Sequence, residues 1–395
     1  MALRRFLNGN EALAEAVKLA GVEVVAAYPI TPQSPVVEKI AEFISKGEME
    51  SEYIRVESEH AALAACYGAA VTGTRVFTAT SSQGLAYMFE MLHYVSGSRM
   101  PVVMAVANRG MAAPWTIWAD HQDSVSCRDT GWVQLYVENA QEALDTCLQA
   151  YKVGEDPQVL LPVMICLDGY TLSHTEEPVE VPEKEEVDAF LPPLRLPVAL
   201  DVENPVVFCA GAGPELYTEF KYQQQQAMYA ALLKLKEADA EFAARFGRSY
   251  GGTVEPYQCE DAAVILVTMG AVTGTAREVV DGLRACDQKV GLLKIKSFRP
   301  FPAQEIRDIL SRAGAVAILE RDCSYGYEGA LCTEVKAALL GLDGPPKVYG
   351  FIGGLGGHDI TREQITAIYR YCLEGVQPGY GTDHFLDVAG ARDEN

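Results

Sequence analysis

Four short apolar runs, each beside a helical pattern, constrain this chain more than any other feature of its sequence. Val22 to Ala27, Val76 to Ala79, Pro101 to Ala107 and Leu161 to Leu167 show no polar alternation. A strand that is apolar on both faces must be covered on both, as in a parallel sheet sheathed by helices. The intervening segments supply those helices. Asn10 caps one through Leu19 with Gly21 as its stop, and others are predicted over Pro35 to Ile44 and over the alanine-rich Glu59 to Ala70. Tyr53 to Val56 adds a short strand, and Ser82-Gln83-Gly84 opens a further helix. Ligands of such sheets collect beyond the carboxyl ends of the strands. There the sequence puts the Tyr28-Pro29 turn, Ser82, Asn108-Arg109-Gly110 and Asp168-Gly169-Tyr170.

A second α/β unit follows a change of composition. Glu176 to Asp188 is acidic and contains proline, Pro192-Pro193 comes soon after, and the stretch reads as an exposed connector. Glu219 to Phe246 reads as one long helix. From Ala262 the order is strand Ala263 to Thr268, glycine turn Gly270 to Gly274, helix Thr275 to Cys286 and strand Val290 to Ile295. Helix Ala303 to Arg312, strand Val316 to Leu319, helix Gly329 to Leu340, strand Val348 to Ile352 and helix Thr361 to Leu373 complete it. With 395 residues the chain has room for two or three domains at roughly 100–200 residues each. The boundaries are set at 1–175, 176–258 (connector and long helix completing the first domain), 259–375 and a tail 376–395, loose or pinned only by a partner.

Charge and cysteine usage exclude several functions. Lys and Arg number 32 against 54 Asp and Glu, a net charge of −22, which argues against nucleic acid or an anionic membrane as partner. No apolar run approaches the roughly 18 residues of a membrane span, and no apolar leader core follows Leu3-Arg4-Arg5, so a cytoplasmic location is expected. The ten cysteines include no C-x-x-C pair, so neither an iron–sulfur cluster nor a zinc ribbon is expected on this chain.

The candidate chemistry gathers at the strand ends. Glu59, in Val56-Glu57-Ser58-Glu59-His60-Ala61-Ala62, is an acid among small apolar neighbours, and a buried carboxylate there needs a partner. Arg109, delivered by a buried strand, suits either a bidentate contact with a carboxylate or a structural ion pair. The turn at Gly270 lacks the G-x-G-x-x-G spacing, and Lys294-Ile295-Lys296 stands where a dinucleotide site needs an acid. Gly353 to Gly357 reads as a flexible turn rather than a phosphate cradle, and Asp120-His121-Gln122-Asp123 as a loop at a pocket mouth rather than a metal site. No G-x-S-x-G elbow supports acyl hydrolysis.

In order along the chain, Gly9-Asn10-Glu11-Ala12, Tyr28-Pro29-Ile30-Thr31-Pro32, Glu57-Ser58-Glu59-His60-Ala61-Ala62 and Ser82-Gln83-Gly84 are joined by Asn108-Arg109 and Trp118-Ala119-Asp120-His121 with Asp123. Arg128-Asp129-Thr130-Gly131-Trp132, Cys166-Leu167-Asp168-Gly169-Tyr170 and Phe298-Arg299-Pro300-Phe301-Pro302 complete a series that resembles the alpha subunits of thiamine-diphosphate-dependent 2-oxoacid:ferredoxin oxidoreductases. The resemblance implies a thiamine-diphosphate-binding fold: a pyrimidine domain, its parallel sheet helix-covered on both faces, then a transketolase C-terminal-like α/β domain. It implies that Glu59 hydrogen-bonds N1′ of the aminopyrimidine, with Tyr28, Pro29, Ile30 and Gln83 also lining the cofactor. Thr31 and Arg109 would face the substrate, Arg109 on its carboxylate. The Gly-Asp-Gly motif that binds diphosphate and Mg²⁺ in this enzyme class is not matched by Asp168-Gly169-Tyr170. A beta subunit is therefore expected to hold the diphosphate and Mg²⁺, gamma or delta subunits the [4Fe-4S] clusters, and ferredoxin to take the electrons. Among substrates the resemblance favours oxalate, giving two CO₂ without coenzyme A, with His121 and Gln122 as extra donors and pyruvate as the alternative. Two other readings remain at this point: a noncatalytic scaffold that assembles partners, and a nucleotide-binding oxidoreductase using the Gly270 turn.

Overall fold

The structure, a computed structural model, describes residues 3–375 and 384–388. In chain order the first half comprises β1 (Leu3–Leu7), α1 (Gly9–Leu19), β2 (Val24–Ala27), α2 (Ser34–Ser45), β3 (Glu52–Arg55), α3 (Glu59–Ala70), β4 (Val76–Thr80), α4 (Ser82–Tyr87) and α5 (Phe89–Gly97). It continues with β5 (Val103–Asn108), α6 (Gln122–Val125), β6 (Val133–Tyr136), α7 (Ala140–Gly154), β7 (Val163–Asp168), β8 (Glu177–Val181), α8 (Lys184–Phe190) and α9 (Pro214–Phe246). The second half holds β9 (Val254–Tyr257), β10 (Val264–Thr268), α10 (Val272–Arg284), β11 (Val290–Ile295), β12 (Ser297–Arg299) and α11 (Ala303–Leu310). Then come β13 (Ala315–Glu320), α12 (Ala330–Leu339), β14 (Lys347–Ile352), α13 (Arg362–Leu373) and β15 (His384–Phe385).

The apolar runs behave as their composition requires. β4, β5, β6 and β7 are buried along their whole length and stack with β2 and β3 into a parallel sheet of order β6-β7-β5-β4-β2-β3. A seventh strand, β12, adds antiparallel to β6 from the second half of the chain. The second sheet runs β15-β14-β13-β10-β11-β9, with β9 as its antiparallel member. The two sheets share one core, in which Trp132, Tyr136, Met164 and Cys166 pack with Ile265, Leu293, Phe298 and Ile318. Neither unit is sealed without the other.

An ionic cluster reinforces the same seam. Lys294 on β11, 1% exposed, lies 2.6 Å from Glu142 and 3.0 Å from Glu138, both at the start of α7, while Arg277 on α10 reaches Glu138 and Glu255. Lys294, one of the two lysines that spoil a ribose site, thus has an internal role, because a buried ammonium is tolerated only among acids.

Several expectations are corrected. Asn10 is not the cap of α1: Asn8 is, in a capping box with Glu11, and Asn10 is buried with its amide donating to Pro32 O at 2.9 Å. It braces the Tyr28–Pro32 turn instead. The acidic connector is not simply exposed, since its residues 177–181 pair antiparallel with Leu3–Leu7 as a two-stranded ribbon. Ser297–Arg299, for which no element was expected, is a strand, and the second sheet begins at Val254, ahead of the boundary at 259. Part of the expected loose tail is docked on the chain itself: β15 pairs with β14, and the Gln364 amide donates to Asp387. The remainder of 376–395 lies outside the described residues. Among the described residues no helix is long and apolar enough to cross a membrane.

Candidate functional site

The site forms where β2, β4, β5 and β7 end, because parallel strands bring their carboxyl-terminal loops to one edge. Glu59 is the first residue of α3. Its neighbour Ser58 caps the helix, accepting Ala61 N at 3.2 Å, so a short local motif fixes where the acid stands. The residue is 8% exposed, and no hydrogen bond or ion pair reaches its carboxylate among the described residues. A nearly buried acid with unused acceptor capacity at a helix N-terminus is poised for an external donor.

Gly84 explains how Glu59 fits. A Cβ on this residue of α4 would lie 2.7 Å from Glu59 Oε1 and 2.9 Å from its Cγ, and would also strike Thr80 Oγ1. Gly84→Ala should therefore displace the carboxylate while leaving the helix, whose backbone alanine favours, intact. We expect at least a tenfold loss of turnover with far-ultraviolet dichroism unchanged. Wild-type rates in this variant would mean that the position of Glu59 is immaterial.

Arg109 follows the last residue of β5 and is 4% exposed. Its guanidinium donates to Thr31 O at 2.7 Å and to Gln83 Oε1 at 2.8 Å, and Trp115 lies 5.6 Å from its carbon. Its buried Nε and the buried Nε2 of Gln83 have no partner. Burial lowers the pKa of Arg109 and Asp123 works against the shift, an effect too small to discharge a guanidinium. Two buried donors without hydrogen-bond partners and an unpaired acid, all at one edge of the sheet, are polar groups of the kind that orient a small molecule.

Asp123 holds this edge together. Its Oδ2 accepts Ser82 N at 2.9 Å and Arg109 N at 3.0 Å, while Oδ1 accepts Asn108 Nδ2 and Ser124 N at 2.7 Å each. Burial pushes its carboxyl up to about 6 against the pull of these donors. The sequence named Asp123 only within the Asp120–Asp123 loop and the resemblance, because three of its four donors, Ser82, Asn108 and Arg109, come from the ends of β4 and β5.

The other expected residues are placed as follows. Tyr28, Pro29 and Thr31 are exposed and Ile30 half-buried on the turn after β2. Pro29 also borders a cavity of about 340 Å³ walled by Val37, Ala41, Ile44 and Tyr53. His121 is not brought into the Arg109 cluster: it is 1% exposed and its Nε2 bonds Asp168 Oδ1 at 2.7 Å. Gln122 Oε1 is taken by the backbone N–H of Cys323. The Gly270 turn is filled from within, because a Cβ there would meet Asp168 Oδ2 at 2.8 Å and Asp168 accepts Ala271 N at 2.6 Å. The chain's own acid occupies the place where a nucleotide phosphate would approach α10. The glycines at 353–357 likewise serve close packing, Gly357 N donating to Ala119 O at 2.6 Å.

Two parallel-sheet units with an acid at one helix start and an arginine at a strand end place the molecule in the thiamine-diphosphate-binding fold class. The solved structures agree. A 2-oxoglutarate:ferredoxin oxidoreductase from Magnetococcus marinus superimposes with a TM-score of 0.73 at 21% identity, covering 93% of this chain and 65% of that one. A split-gene transketolase superimposes at 0.57 with 14% identity, covering 93% of this chain and 99% of that one. Residues 15–239 match the thiamine-diphosphate-binding family of pyruvate flavodoxin/ferredoxin oxidoreductases, and residues 262–365 match pyruvate:ferredoxin oxidoreductase core domain II. The pyruvate synthase subunit PorA of Methanothermobacter thermautotrophicus is 50% identical over 93% of this chain and 94% of its own length. PorA of Pyrococcus furiosus is 48% identical over 96% of each chain, and the ketoisovalerate oxidoreductase subunit VorA of Pyrococcus horikoshii 48% over 95% of each. The chain belongs to the alpha subunits of the 2-oxoacid:ferredoxin oxidoreductases, which are oxidoreductase enzymes.

Proposed function

We propose that this chain is the alpha subunit of a pyruvate:ferredoxin oxidoreductase, forming acetyl-coenzyme A, CO₂ and reduced ferredoxin with its partner chains. This replaces the earlier preference for oxalate, which none of the relatives described above supports; they are named for pyruvate and ketoisovalerate. The extra donor suggested for a second substrate carboxylate also has other work, since His121 Nε2 is bonded to Asp168.

The observation that carries the reading is the unpaired, nearly buried carboxylate of Glu59. It fits N1′ of a thiamine aminopyrimidine, which offers one polar edge to a buried acid. When bound, the cofactor supplies the electron sink for loss of CO₂ from a 2-oxoacid. Glu59 would hold the proton at its Oε toward that ring nitrogen, Gly84 leaves room for its carboxylate, and Tyr28, Pro29, Ile30 and Gln83 would flank the ring. Arg109 binds the substrate carboxylate with its free N–H groups, while Thr31 and Gln83 orient the guanidinium. The low polarity of the surroundings strengthens both contacts.

The chain lacks a Gly-Asp-Gly motif and closely spaced cysteines. On this reading a beta subunit holds the diphosphate and Mg²⁺, and further subunits carry the [4Fe-4S] clusters that feed ferredoxin. The deciding experiment is the complex purified with its native partners and given pyruvate, 2-oxoisovalerate or oxalate, each with and without coenzyme A. Ferredoxin reduction by pyruvate that requires coenzyme A is the expected result. Reduction by oxalate alone, or an active complex free of thiamine, would overturn it.

A further inference from the structure

We propose that Arg321, from the second α/β unit, is a positioning residue that holds the substrate-side loop carrying Arg109 in its binding shape. The inference rests on the function proposed above and adds a residue that lies outside the immediate substrate contacts.

The loop from Gly110 to His121 has no helix or strand of its own and closes on itself once, Gly110 N donating to Trp118 O at 2.9 Å. It exposes Trp115 and Trp118, and Trp118 packs on Tyr170 with ring centroids 4.4 Å apart. Such a segment needs support from outside to hold one shape. Its near end is fixed by Asp123, which accepts Arg109 N. Its far end rests on the second unit.

Arg321 follows β13 and is 6% exposed. Its guanidinium donates to Ala119 O at 3.2 Å and to Gly354 O at 3.0 Å, and lies 3.1 Å from Asp168 Oδ1. Its own carbonyl accepts His121 N at 2.8 Å, and Gly357 N donates to Ala119 O. Asp168 in turn bonds His121 Nε2 and Ala271 N. In the sheet, Asp168 pairs with Asn108, the residue before Arg109. One guanidinium thus joins the end of β7, the far end of the loop and the glycine turn after β14. Burial alone would raise the Asp168 carboxyl, yet Arg321 and His121 hold it well below the usual carboxylate range, so it stays an anion for the fork to grip.

Among the described residues, no side chain of the second unit hydrogen-bonds Glu59, Thr31, Gln83 or Arg109. The Arg321 guanidinium is therefore, with the backbone N–H groups of Gly357 and Cys323, one of the polar links from the second unit to this loop and the residue after it, and the one that also grips the end of β7. A planar fork makes these three contacts at once, and a lysine cannot.

The test uses the assembled enzyme. Arg321→Lys should raise KM for the 2-oxoacid about tenfold, the size of one lost charge-assisted hydrogen bond. It should leave kcat within about threefold and the activation constant for thiamine diphosphate unchanged, because Glu59 is untouched. Arg321→Ala should show a larger KM, partly restored by added guanidinium ion. Gly357→Ala approaches the loop from its other support: the glycine has φ +81°, and a Cβ would lie 3.2 Å from Trp118 Cγ. It should reproduce the KM signature with Arg321 intact, and an unchanged KM there would show that the far end of the loop does not set substrate binding and would overturn the proposal even if neither Arg321 variant assembles. KM within twofold of wild type in an assembled variant, or equal losses in kcat and thiamine activation, would reduce Arg321 to a structural ion pair. A wild-type complex that turns over no 2-oxoacid would instead remove the functional reading itself.

Discussion

Glu59→Gln should lower kcat of the assembled complex by about 10²–10⁴-fold, the usual worth of a positioned acid–base group, while stability holds or rises. Both halves follow from one observation. The carboxylate is nearly buried and has no hydrogen-bond or ion-pair partner among the described residues, so beyond the start of α3 little compensates the desolvation of its charge in the isolated subunit. Glutamine has the same shape, fits against Gly84 and removes that charge. It can still meet a ring nitrogen, but it cannot hold or return a proton. KM for pyruvate should change little, because Arg109 is left in place. Stopped-flow ferredoxin reduction and a denaturant melt of the purified subunit read the two effects. Undiminished turnover would strike Glu59 from the mechanism and revive the scaffold interpretation, in which the fold only assembles partners.

Arg109→Lys is expected to reduce kcat/KM for pyruvate by about 10²-fold or more, mostly through KM. The substitution keeps a positive charge and loses everything else. Two of the guanidinium nitrogens are committed to Thr31 O and Gln83 Oε1, and the third, the buried Nε, has no acceptor among the described residues. An ammonium has three hydrogens on one atom and cannot orient a planar carboxylate while tethering two separate groups. Thiamine binding should persist, since the cofactor contacts run through Glu59. Initial rates over a range of pyruvate concentrations, with thiamine occupancy measured alongside, make the separation. An unaltered KM would place the substrate carboxylate elsewhere.

Much of this was legible before any coordinates. The apolar runs at Val76, Pro101 and Leu161 become central strands because a sequence apolar on both faces has few other places to go. The start of α3, and with it Glu59, was readable from Ser58-Glu59 followed by alanines. Other local readings failed for identifiable reasons. Asn10 and Asn8 are equally good caps by type; Asn8 took that role, while Asn10 is buried against Pro32. The connector at 177–181 looked like a solvated tether because its strand is half acidic, as suits an exposed ribbon with one buried edge. The elements at 133–136 and 140–154 carried no prediction, though both are almost wholly buried.

What the sequence alone determined was where strands end, where helices begin, and so which residues arrive at the carboxyl edge of the first sheet: Glu59, Gln83 and Arg109. Those outcomes depend on periodicity and on capping within a few residues. What only the tertiary structure decided was the partner of each charge. Asp168 answers to Arg321 and His121, Lys294 to Glu138 and Glu142, and the glycine at 270 makes room for an aspartate instead of a phosphate. A carboxylate with several cations in the same chain is satisfied by whichever the packing brings within about 3 Å. Separations that run from 47 residues, between His121 and Asp168, to more than 150 leave no local trace of that choice.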